Sequence, residues 1–414
     1  MLRLVVAAHT VVMSSFRTER FARAKVLAAN PHMLRVPPKA ALFMARYMSK
    51  FPVRRYGDNL ILHSHLPPLT GRAYGRFVEH HLVSRLSGPS HAQVGVTNAC
   101  LQNCEYCYNK GRSGVPMDTS TILRVIDDLR GAGVAWLGLT GGEPLMNKDL
   151  VAITRHASND MAVKLFTTGV GLTPALAADL AEAGLFSVAV SLDHWEAERH
   201  DASRRYPGAF AAALTAIETF KAVPGLHVSV SSVLSRQMIR EGEVETLLEF
   251  LESLRVDEAW LSEVKPSAED FWSDDLVISE ESRRGLATLQ DQRNKAVRRS
   301  GRGLMVNYLG HFEGAENFGC NAGCKMVYVD TYGEVSPCVF VPMSFGNVRE
   351  RPLGEMLAEM HAYMPGDDHC FINSNYRLLT ERVPLGPAQT RQLLSQVRFG
   401  PPSKFNRLLQ RGQV

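Results

Sequence analysis

Seven cysteines in two groups are the residues of this 414-residue chain with the clearest capacity for chemistry. The first group has spacings of four and three residues and comprises Cys100, Cys104 and Cys107. The second group lies more than 200 residues later and comprises Cys320, Cys324, Cys338 and Cys370. An odd number in two groups differs from a disulfide framework and indicates metal or cluster ligation in a reducing compartment, so we expect a cytoplasmic protein.

The first group lies on one loop, where three thiolates can converge on one face of a four-iron cluster. Three protein ligands leave one iron open to a small molecule, whereas four complete the coordination and suit electron transfer. A zinc knuckle is the alternative. It requires a fourth Cys or His close by, and this loop has none.

Short apolar runs alternate with helical patterns between residues 92 and 264. The predicted strands are 93–97, 136–140, 162–167, 187–192, 227–233 and 259–264, and the predicted helices lie near 118–130, 148–158, 173–183, 208–222 and 242–254. Each helix is long enough for a crossover between parallel strands. The pattern therefore predicts an α/β fold, wound as an open sheet or a barrel.

Polar and glycine-rich motifs follow the predicted strands, at the edge where such folds carry their chemistry. After the first four strands, in order, come Cys100, then Gly141-Gly142-Glu143-Pro144, then Thr167-Thr168-Gly169, then Ser191 and Asp193. The two glycines let the backbone approach a ligand closely, and Glu143 offers an acceptor for a cationic amine. We therefore expect these motifs to meet at one rim.

The Cys-x3-Cys-x2-Cys spacing, with Tyr106 before the third cysteine, resembles the signature of the radical S-adenosylmethionine (SAM) superfamily. The resemblance implies that the first group holds a 4Fe-4S cluster whose open iron binds the amino and carboxylate groups of SAM. It also implies that one-electron reduction cleaves SAM to methionine and a 5′-deoxyadenosyl radical, which abstracts hydrogen from a substrate.

Further site residues follow from the same resemblance. The Gly141 to Pro144 run resembles the segment that holds the SAM amino group, and Thr168 and Ser191 are similar to positions that contact SAM. The run Thr167-Thr168-Gly169 departs from the more familiar Thr-Asn-Gly. We take Asp193 and His194 as catalytic candidates in the pocket, with His194 as a proton acceptor. Tyr308 and His311 are further candidates for the cavity wall.

The second cysteine group adds another site. A predicted hairpin with a turn at Tyr332-Gly333 folds Cys338 back toward Cys320 and Cys324, and Cys370 follows a predicted helix near 352–362. Four thiols on one site suit either a fully ligated cluster or zinc. Gly333-x4-Cys338, with Phe345-Gly346-Asn347-Val348 after it, resembles the SPASM extension or its shorter twitch form. The resemblance implies one auxiliary 4Fe-4S cluster on these four cysteines.

Charge is concentrated at the two ends of the chain, although the net charge is only +4. Residues 1–60 contain eleven Lys or Arg against two acids, a balance of +9, and the last 18 residues contain four basic residues and no acid. This pattern indicates either a solvated face or a footprint for an anionic partner such as a lipid headgroup. The amphipathic segment 38–51 is expected to dock on the protein's own core rather than on a membrane.

Composition limits the function classes. The chain is 45% hydrophobic and 21% charged, as in a soluble globular protein, and no apolar run is long enough to cross a membrane. The run 4–13 is interrupted by His9 and Thr10, so we treat it as mature protein rather than a signal peptide. We expect no nucleic acid partner.

The sequence thus predicts a partial (β/α)6 radical SAM barrel over 90–265. The flanking regions are a basic, mostly helical extension over 1–89, linker helices with a SPASM- or twitch-like auxiliary-cluster domain over 266–375, and a basic tail over 376–414. The predicted reaction is hydrogen abstraction from a peptide, with a flavodoxin- or ferredoxin-type reductant. The same chemistry on a lipid or other anionic small molecule is one alternative. An iron–sulfur electron carrier without SAM is another, against which the GGEP run argues.

Overall fold

A computed structural model describes residue 26 and residues 29–267, 274–379 and 384–409. Several basic residues behind the predicted charge of the two ends lie outside this part of the chain, namely Arg3, Arg17, Arg20, Arg23, Lys25 and Arg411. The apolar run 4–13 also lies outside it.

The described strands form one large sheet and one small hairpin. They are β1 (Arg54–Tyr56), β2 (Asn59–Ile61), β3 (His91–Thr97), β4 (Trp136–Gly141), β5 (Ala162–Thr167), β6 (Leu185–Ser191), β7 (His227–Leu234), β8 (Glu258–Glu263), β9 (Met305–Tyr308), β10 (Met326–Val329) and β11 (Val335–Ser336). The large sheet has the order β11-β10-β3-β4-β5-β6-β7-β8-β9, and β1 pairs with β2 alone. All neighbours from β10 to β9 are parallel, and β11 pairs antiparallel with β10.

Helices connect the strands of the large sheet. The α-helices are α1 (Pro38–Met48), α2 (Arg72–Phe77), α3 (Thr119–Gly131), α4 (Leu150–Ser158), α5 (Pro174–Glu182), α6 (Ala197–Arg204), α7 (Ala209–Lys221), α8 (Arg236–Arg240), α9 (Val244–Ser253), α10 (Glu280–Ser300), α11 (Leu309–Phe312), α12 (Leu353–Tyr363), α13 (Phe371–Asn375), α14 (Pro387–Leu394) and α15 (Lys404–Leu409). Short 3-10 helices span Pro31–Arg35, Pro144–Met146 and Tyr376–Leu378, and a π-helix spans Val78–Val83.

Local sequence explains these elements. Strand β4 is buried along its whole length, as expected for a parallel strand covered on both faces. Helix α3 begins where the Asp118 carboxylate accepts a hydrogen bond from the Thr121 amide, and it buries Ile122, Val125, Ile126 and Leu129 at helical spacing. The core of the molecule therefore lies between the sheet and its crossover helices.

The predicted α/β barrel is confirmed, and each of the six predicted strands is present within two residues of its predicted ends. The sequence did not reveal β9, a four-residue strand that extends the parallel sheet beyond β8. The predicted hairpin is present as β10 and β11, but its parallel pairing with β3 was also missed. Both omissions concern short strands whose partners are set by distant parts of the chain.

The N-terminal extension packs against the rest of the protein. The predicted amphipathic helix is α1, which ends at Met48 rather than residue 51. The Phe43 ring lies 5.4 Å from the ring of Phe318 and 5.3 Å from that of Phe405, so its apolar face docks on the protein's own core. Within the described ranges, none of the helices combines the length and apolar character needed to traverse a bilayer.

Candidate active site between the two cysteine groups

A cavity of about 450 Å³ opens at the carboxyl ends of the parallel strands. Both cysteine groups contribute to its wall, through Cys100, Cys104, Cys107, Cys320, Cys338 and Cys370. Cys324 is buried nearby, 3% exposed, and does not line the cavity. Gly141, Gly142, Thr168 and Ser191, which were predicted as SAM contacts, also line it. Motifs separated by more than 200 residues therefore face one space.

The first cysteine loop is fixed by a buried ion pair from the fourth-strand rim. Arg204 Nη2 lies 2.7 Å from Asp193 Oδ2, and both side chains are 7% exposed. The Tyr106 hydroxyl also donates to Asp193, and the Asn103 amide donates to the Arg204 carbonyl at 3.1 Å. Arg204 further lies 3.9 Å from Cys104 Sγ. The ion pair thus holds the middle of the cysteine loop.

The glycine pair holds the start of the same loop. A Cβ atom on Gly141 would lie 2.4 Å from the Thr97 carbonyl oxygen, and one on Gly142 would lie 2.3 Å from that of Ala99. The Gly142 amide donates to Thr97 at 2.6 Å, and the Glu143 amide donates to Ala99 at 2.7 Å. Only glycine permits this approach, so the pair positions the cysteine loop as well as lining the cavity.

Glu143, predicted as an acceptor for a cationic amine, has its carboxylate occupied by neighbouring groups of the protein. Its carboxylate is 1% exposed and accepts hydrogen bonds from the Thr167 hydroxyl, the Thr168 amide and hydroxyl, and the Leu145 amide. Burial raises its pKa, and these bonds oppose that rise. In this structure the carboxylate ties the loop after β4 to the loop after β5, and Pro144 starts the following 3-10 helix.

The geometry does not favour a catalytic role for Asp193 and His194. Among the described residues, the cavity wall includes Ser191 and Arg204 but neither of these two. Burial raises the pKa of Asp193, but the charges of Arg204 and His200, together with hydrogen bonds to the carboxylate, hold it below its usual range. His194 stacks on Trp195 at 4.0 Å and accepts a hydrogen bond from the Glu196 amide. Asp193 therefore serves as a positioning residue, and His194 lies outside the wall.

The second cysteine group is held by backbone and by one buried lysine. The Phe371 amide donates to Cys320 Sγ at 3.4 Å, and Lys265 Nζ donates to Cys370 Sγ at 3.3 Å. A hydrogen bond from the Cys320 thiol lowers the pKa of Cys370. Burial opposes this effect, and the positive charge of Lys265 adds to it. The structure thus brings Cys370 beside Cys320, as the predicted auxiliary site requires.

A buried charged network extends from Cys370 to the end of β8. Lys265 Nζ lies 3.0 Å from Glu263 Oε1 and 3.2 Å from Glu313 Oε2. Burial and the neighbouring Cys370 raise the pKa of Glu313 to about 8. Burial also opposes ionisation of Glu263, but the charges of Lys265 and Arg283, with hydrogen bonds to the carboxylate, together lower its pKa to about 2. Tyr308, predicted to line the cavity, instead donates its hydroxyl to Glu263.

This network was not predicted from the sequence, although the charged residues at the end of β8 are a signal for it. Glu263 and Lys265 stand at the same rim as the motifs after β3 to β6. His311, the other wall candidate, lies 2.9 Å from Lys50 Nζ and is not in the wall, whereas its neighbours Leu309 and Phe312 are.

The donor sets fit iron–sulfur clusters better than a single zinc ion. Tetrahedral zinc with Zn–S bonds of about 2.3 Å places its thiolates about 3.8 Å apart. Among the described residues, which include all seven cysteines, the only group of three or more ligand atoms within 4.8 Å of one another is that of Asp367, Asp368 and His369. A polynuclear cluster binds each thiolate to a different iron, so it does not require three thiolates to converge within that distance.

Comparison with known families agrees with this chemistry. The profile of the radical SAM superfamily matches residues 94–255, and that of the SPASM iron–sulfur cluster-binding domain matches residues 320–377.

Curated relatives cover different shares of their own length. The AdoMet-dependent heme synthase of Methanosarcina barkeri is 29% identical over 66% of this chain and 84% of its own. The mycofactocin maturase MftC of Mycolicibacterium smegmatis is 29% identical over 59% of this chain and 63% of its own. The PqqA peptide cyclase of Methylocella silvestris is 33% identical over 42% of this chain. The match spans about half of that protein, 48% of its length.

Solved structures share the fold at low sequence identity. Streptococcus suis SuiB bound to its precursor peptide SuiA superposes with a TM-score of 0.53, at 13% identity over 78% of this chain and 70% of SuiB. The chain of anSMEcpe with bound AdoMet and Cp18Cys peptide gives a TM-score of 0.52, at 17% identity over 74% of this chain and 96% of its own. The two profile matches show that the chain belongs to the radical SAM superfamily and is an enzyme that uses SAM, a 4Fe-4S cluster and an auxiliary iron–sulfur cluster in a SPASM domain.

Proposed function

We propose that this enzyme modifies a peptide, as a maturase. The observation that carries the proposal is the single cavity faced by both cysteine groups, which lets one bound substrate contact the surroundings of both clusters. Two relatives are named for peptide maturation, the PqqA peptide cyclase and the mycofactocin maturase. The cavity opens at the strand ends, where an extended chain can enter.

The site residues take the following roles in this proposal. The catalytic cluster is held by Cys100, Cys104 and Cys107, and the auxiliary cluster by Cys320, Cys324, Cys338 and Cys370. When bound and reduced, the catalytic cluster and SAM supply a 5′-deoxyadenosyl radical that abstracts hydrogen. The backbone of Gly141 and Gly142, with Thr168 and Ser191, contacts SAM, while Glu143 and Pro144 shape that segment. The proposed domains are the N-terminal extension over 1–89, the radical SAM barrel over 90–265, the linker helices and auxiliary-cluster domain over 266–375, and the C-terminal tail over 376–414.

The remaining residues hold this arrangement in place. Asp193 and Arg204 fix the cysteine loop, and Lys265 donates to the Cys370 sulfur. Electrons from a flavodoxin- or ferredoxin-type protein enter near Cys100, which is exposed beside Leu101, 54% exposed. A reducing compartment such as the cytoplasm suits this chemistry.

A small-molecule substrate is the second candidate, because the heme synthase relative matches over 84% of its length. Contact with an anionic membrane is a separate hypothesis that rests on the basic ends of the chain. Co-sedimentation with vesicles of phosphatidylglycerol at low salt tests it, and absence of binding removes it.

The first test concerns the clusters. After anaerobic reconstitution we expect about eight irons per chain in the wild type and about four in a variant with Ala at the first three cysteines. With dithionite and SAM, only the wild type should release 5′-deoxyadenosine. Equal iron in both proteins, or no SAM cleavage by the wild type, contradicts the assignment of Cys100, Cys104 and Cys107.

The second test separates peptide from small molecule. A low-mass extract of the source cells grown in D2O is added to the reconstituted enzyme with unlabelled SAM and dithionite, and deuterium in 5′-deoxyadenosine is measured by mass spectrometry. We expect deuterium transfer that is lost when the extract is first digested with a broad protease. Transfer that survives digestion contradicts the peptide proposal and favours the small molecule.

A further inference from the structure

The N-terminal extension closes the amino end of the barrel, opposite the first cysteine loop. The Ser64 carbonyl accepts a hydrogen bond from Trp136 Nε1 at 2.8 Å, and the Ser64 amide donates to Glu258 Oε2 at 2.8 Å. The carbonyl of the next residue, His65, lies 2.8 Å from His91 Nε2. These partners are all buried, so the loop is fixed inside the barrel with His65 at the bottom of the cavity.

Four rings form the floor of this cavity. They belong to His65, Phe166, Trp260 and Phe312, and all four side chains line it. The His65 ring stacks on Phe312 at 4.4 Å and lies 5.0 Å from Trp260, while Phe166 meets Trp260 edge to face at 5.3 Å and 75°. The rings therefore support one another from different directions and present both edges and faces.

Two polar groups stand among these rings. His65 is 92% buried, since its exposed fraction is 8%. Burial, and to a smaller extent the charge of the nearby His91, holds the pKa of His65 well below its usual range. The His65 ring is therefore neutral and offers one hydrogen-bond donor and one acceptor. Gln93 on β3 also lines the cavity. The hydrogen bonds of His65 involve its backbone amide and carbonyl and not its ring. Within the described part of the chain, neither the His65 ring nitrogens nor the Gln93 side-chain amide has a hydrogen-bond partner.

We infer that this floor binds a planar ring that carries a hydroxyl or N–H group, a phenol or an indole, within the substrate. Ring edges and faces favour an aromatic group over an aliphatic one, and the unpartnered His65 and Gln93 favour a ring with a polar atom. The inference rests on the proposed function, because the floor is the deep end of the same substrate cavity. It assigns a specificity role to the N-terminal extension, which neither family profile covers.

The test uses capped amino acids as probes of the reconstituted holoenzyme with SAM. Dissociation constants of N-acetyltyrosinamide, N-acetyltryptophanamide, N-acetylphenylalaninamide and N-acetylleucinamide are measured by saturation-transfer NMR. We expect the tyrosine and tryptophan probes to bind about tenfold more tightly than the leucine probe. The Gln93→Leu variant should remove the preference for the tyrosine probe over the phenylalanine probe.

A matched pair of tryptophan variants locates the binding. Trp260→Leu should weaken the aromatic probes about tenfold and leave the leucine probe unchanged. Trp195→Leu should change neither, because Trp195 stacks on His194 and does not line the cavity. If Trp260→Leu loses its iron, Phe166→Leu tests the same contact, since Phe166 is only partly buried.

The outcomes separate this inference from the proposed function. Equal binding of the leucine and tyrosine probes, or equal effects of Trp260→Leu and Trp195→Leu, overturns the inference. Ring binding with deuterium transfer that survives protease digestion supports the floor assignment and refutes the peptide proposal. Deuterium transfer from peptides without ring selectivity refutes the floor assignment alone.

Discussion

Replacing Asp193 with Asn tests whether this carboxylate positions the cysteine loop or takes part in the chemistry. The substitution keeps the size of the side chain but leaves the Arg204 guanidinium, 7% exposed, without its anionic partner at 2.7 Å. Removing one member of a buried pair costs about 3 to 5 kcal/mol, and the retained amide oxygen favours the lower end, about 3 kcal/mol. This corresponds to a rise of about a hundredfold in the opening constant of the loop.

Amide hydrogen exchange of the apoprotein measures that opening directly. The reporters are the amides of Asn103 and Glu105, which donate to the carbonyls of Arg204 and Ser203 at 3.1 and 3.4 Å. We expect their protection to fall about a hundredfold in Asp193→Asn, and the iron content of the catalytic site to fall with it.

The same loop contains a matched control. Glu105 pairs with Arg205 at 3.2 Å, but these side chains are 46% and 49% exposed, so solvent screens the pair. Glu105→Gln should cost less than about 1 kcal/mol and change protection less than about fivefold. Equal exchange in the two variants, or an Asp193→Asn protein that is fully protected and loaded yet inactive, refutes the positioning role.

Three further results are expected. Burial lowers the pKa of Lys164 from 10.5 to about 7. Between pH 7 and 10.5 the unfolded state therefore binds one more proton than the folded state. The free energy of unfolding should thus rise with pH over this range, by up to about 1.4 kcal/mol per pH unit. Urea unfolding of wild type and Lys164→Met from pH 7 to 9.5 should show this slope in the wild type alone. Gly142→Ala, whose Cβ would lie 2.3 Å from the Ala99 carbonyl, should lower iron in the catalytic site, whereas Gly131→Ala, which meets no atom within 4 Å, should not. Cys370→Ala should lose about four irons and still cleave SAM, as iron analysis and 5′-deoxyadenosine release would show.

Sequence patterns predicted the elements of the fold better than their partners. The six strands from β3 to β8 are apolar runs with helices between them, and both strand and crossover signals are local. Strand β10 pairs with β3 in a register that places Met326 opposite His91. These residues are more than 200 positions apart, and no local sequence pattern encodes a contact over that separation. The cysteine ligands were identifiable because their spacing is itself the signal.

The roles of residues that act through tertiary contacts were harder to predict from the sequence. Asp193 lies two residues after β6, but its pairing with Arg204 depends on how helix α6 returns to the cysteine loop. His65 belongs to an extension without a recognisable motif, and its place on the floor follows only from the fold. Lys265 carried a visible signal, its position just after β8, but not the identity of its partner Cys370.

The pairing of β3 with β10 has a consequence for the order of assembly during synthesis. Strand β3 leads directly into the first cysteine loop, and one of its two neighbours in the sheet begins only at Met326, after Cys320 and Cys324 have been made. While residues near 300 are still being translated, the barrel has an open edge beside the first cysteine group. Cluster insertion into a fully formed cavity must therefore follow translation of most of the chain, and a polypeptide truncated before β10 would expose that edge to aggregation.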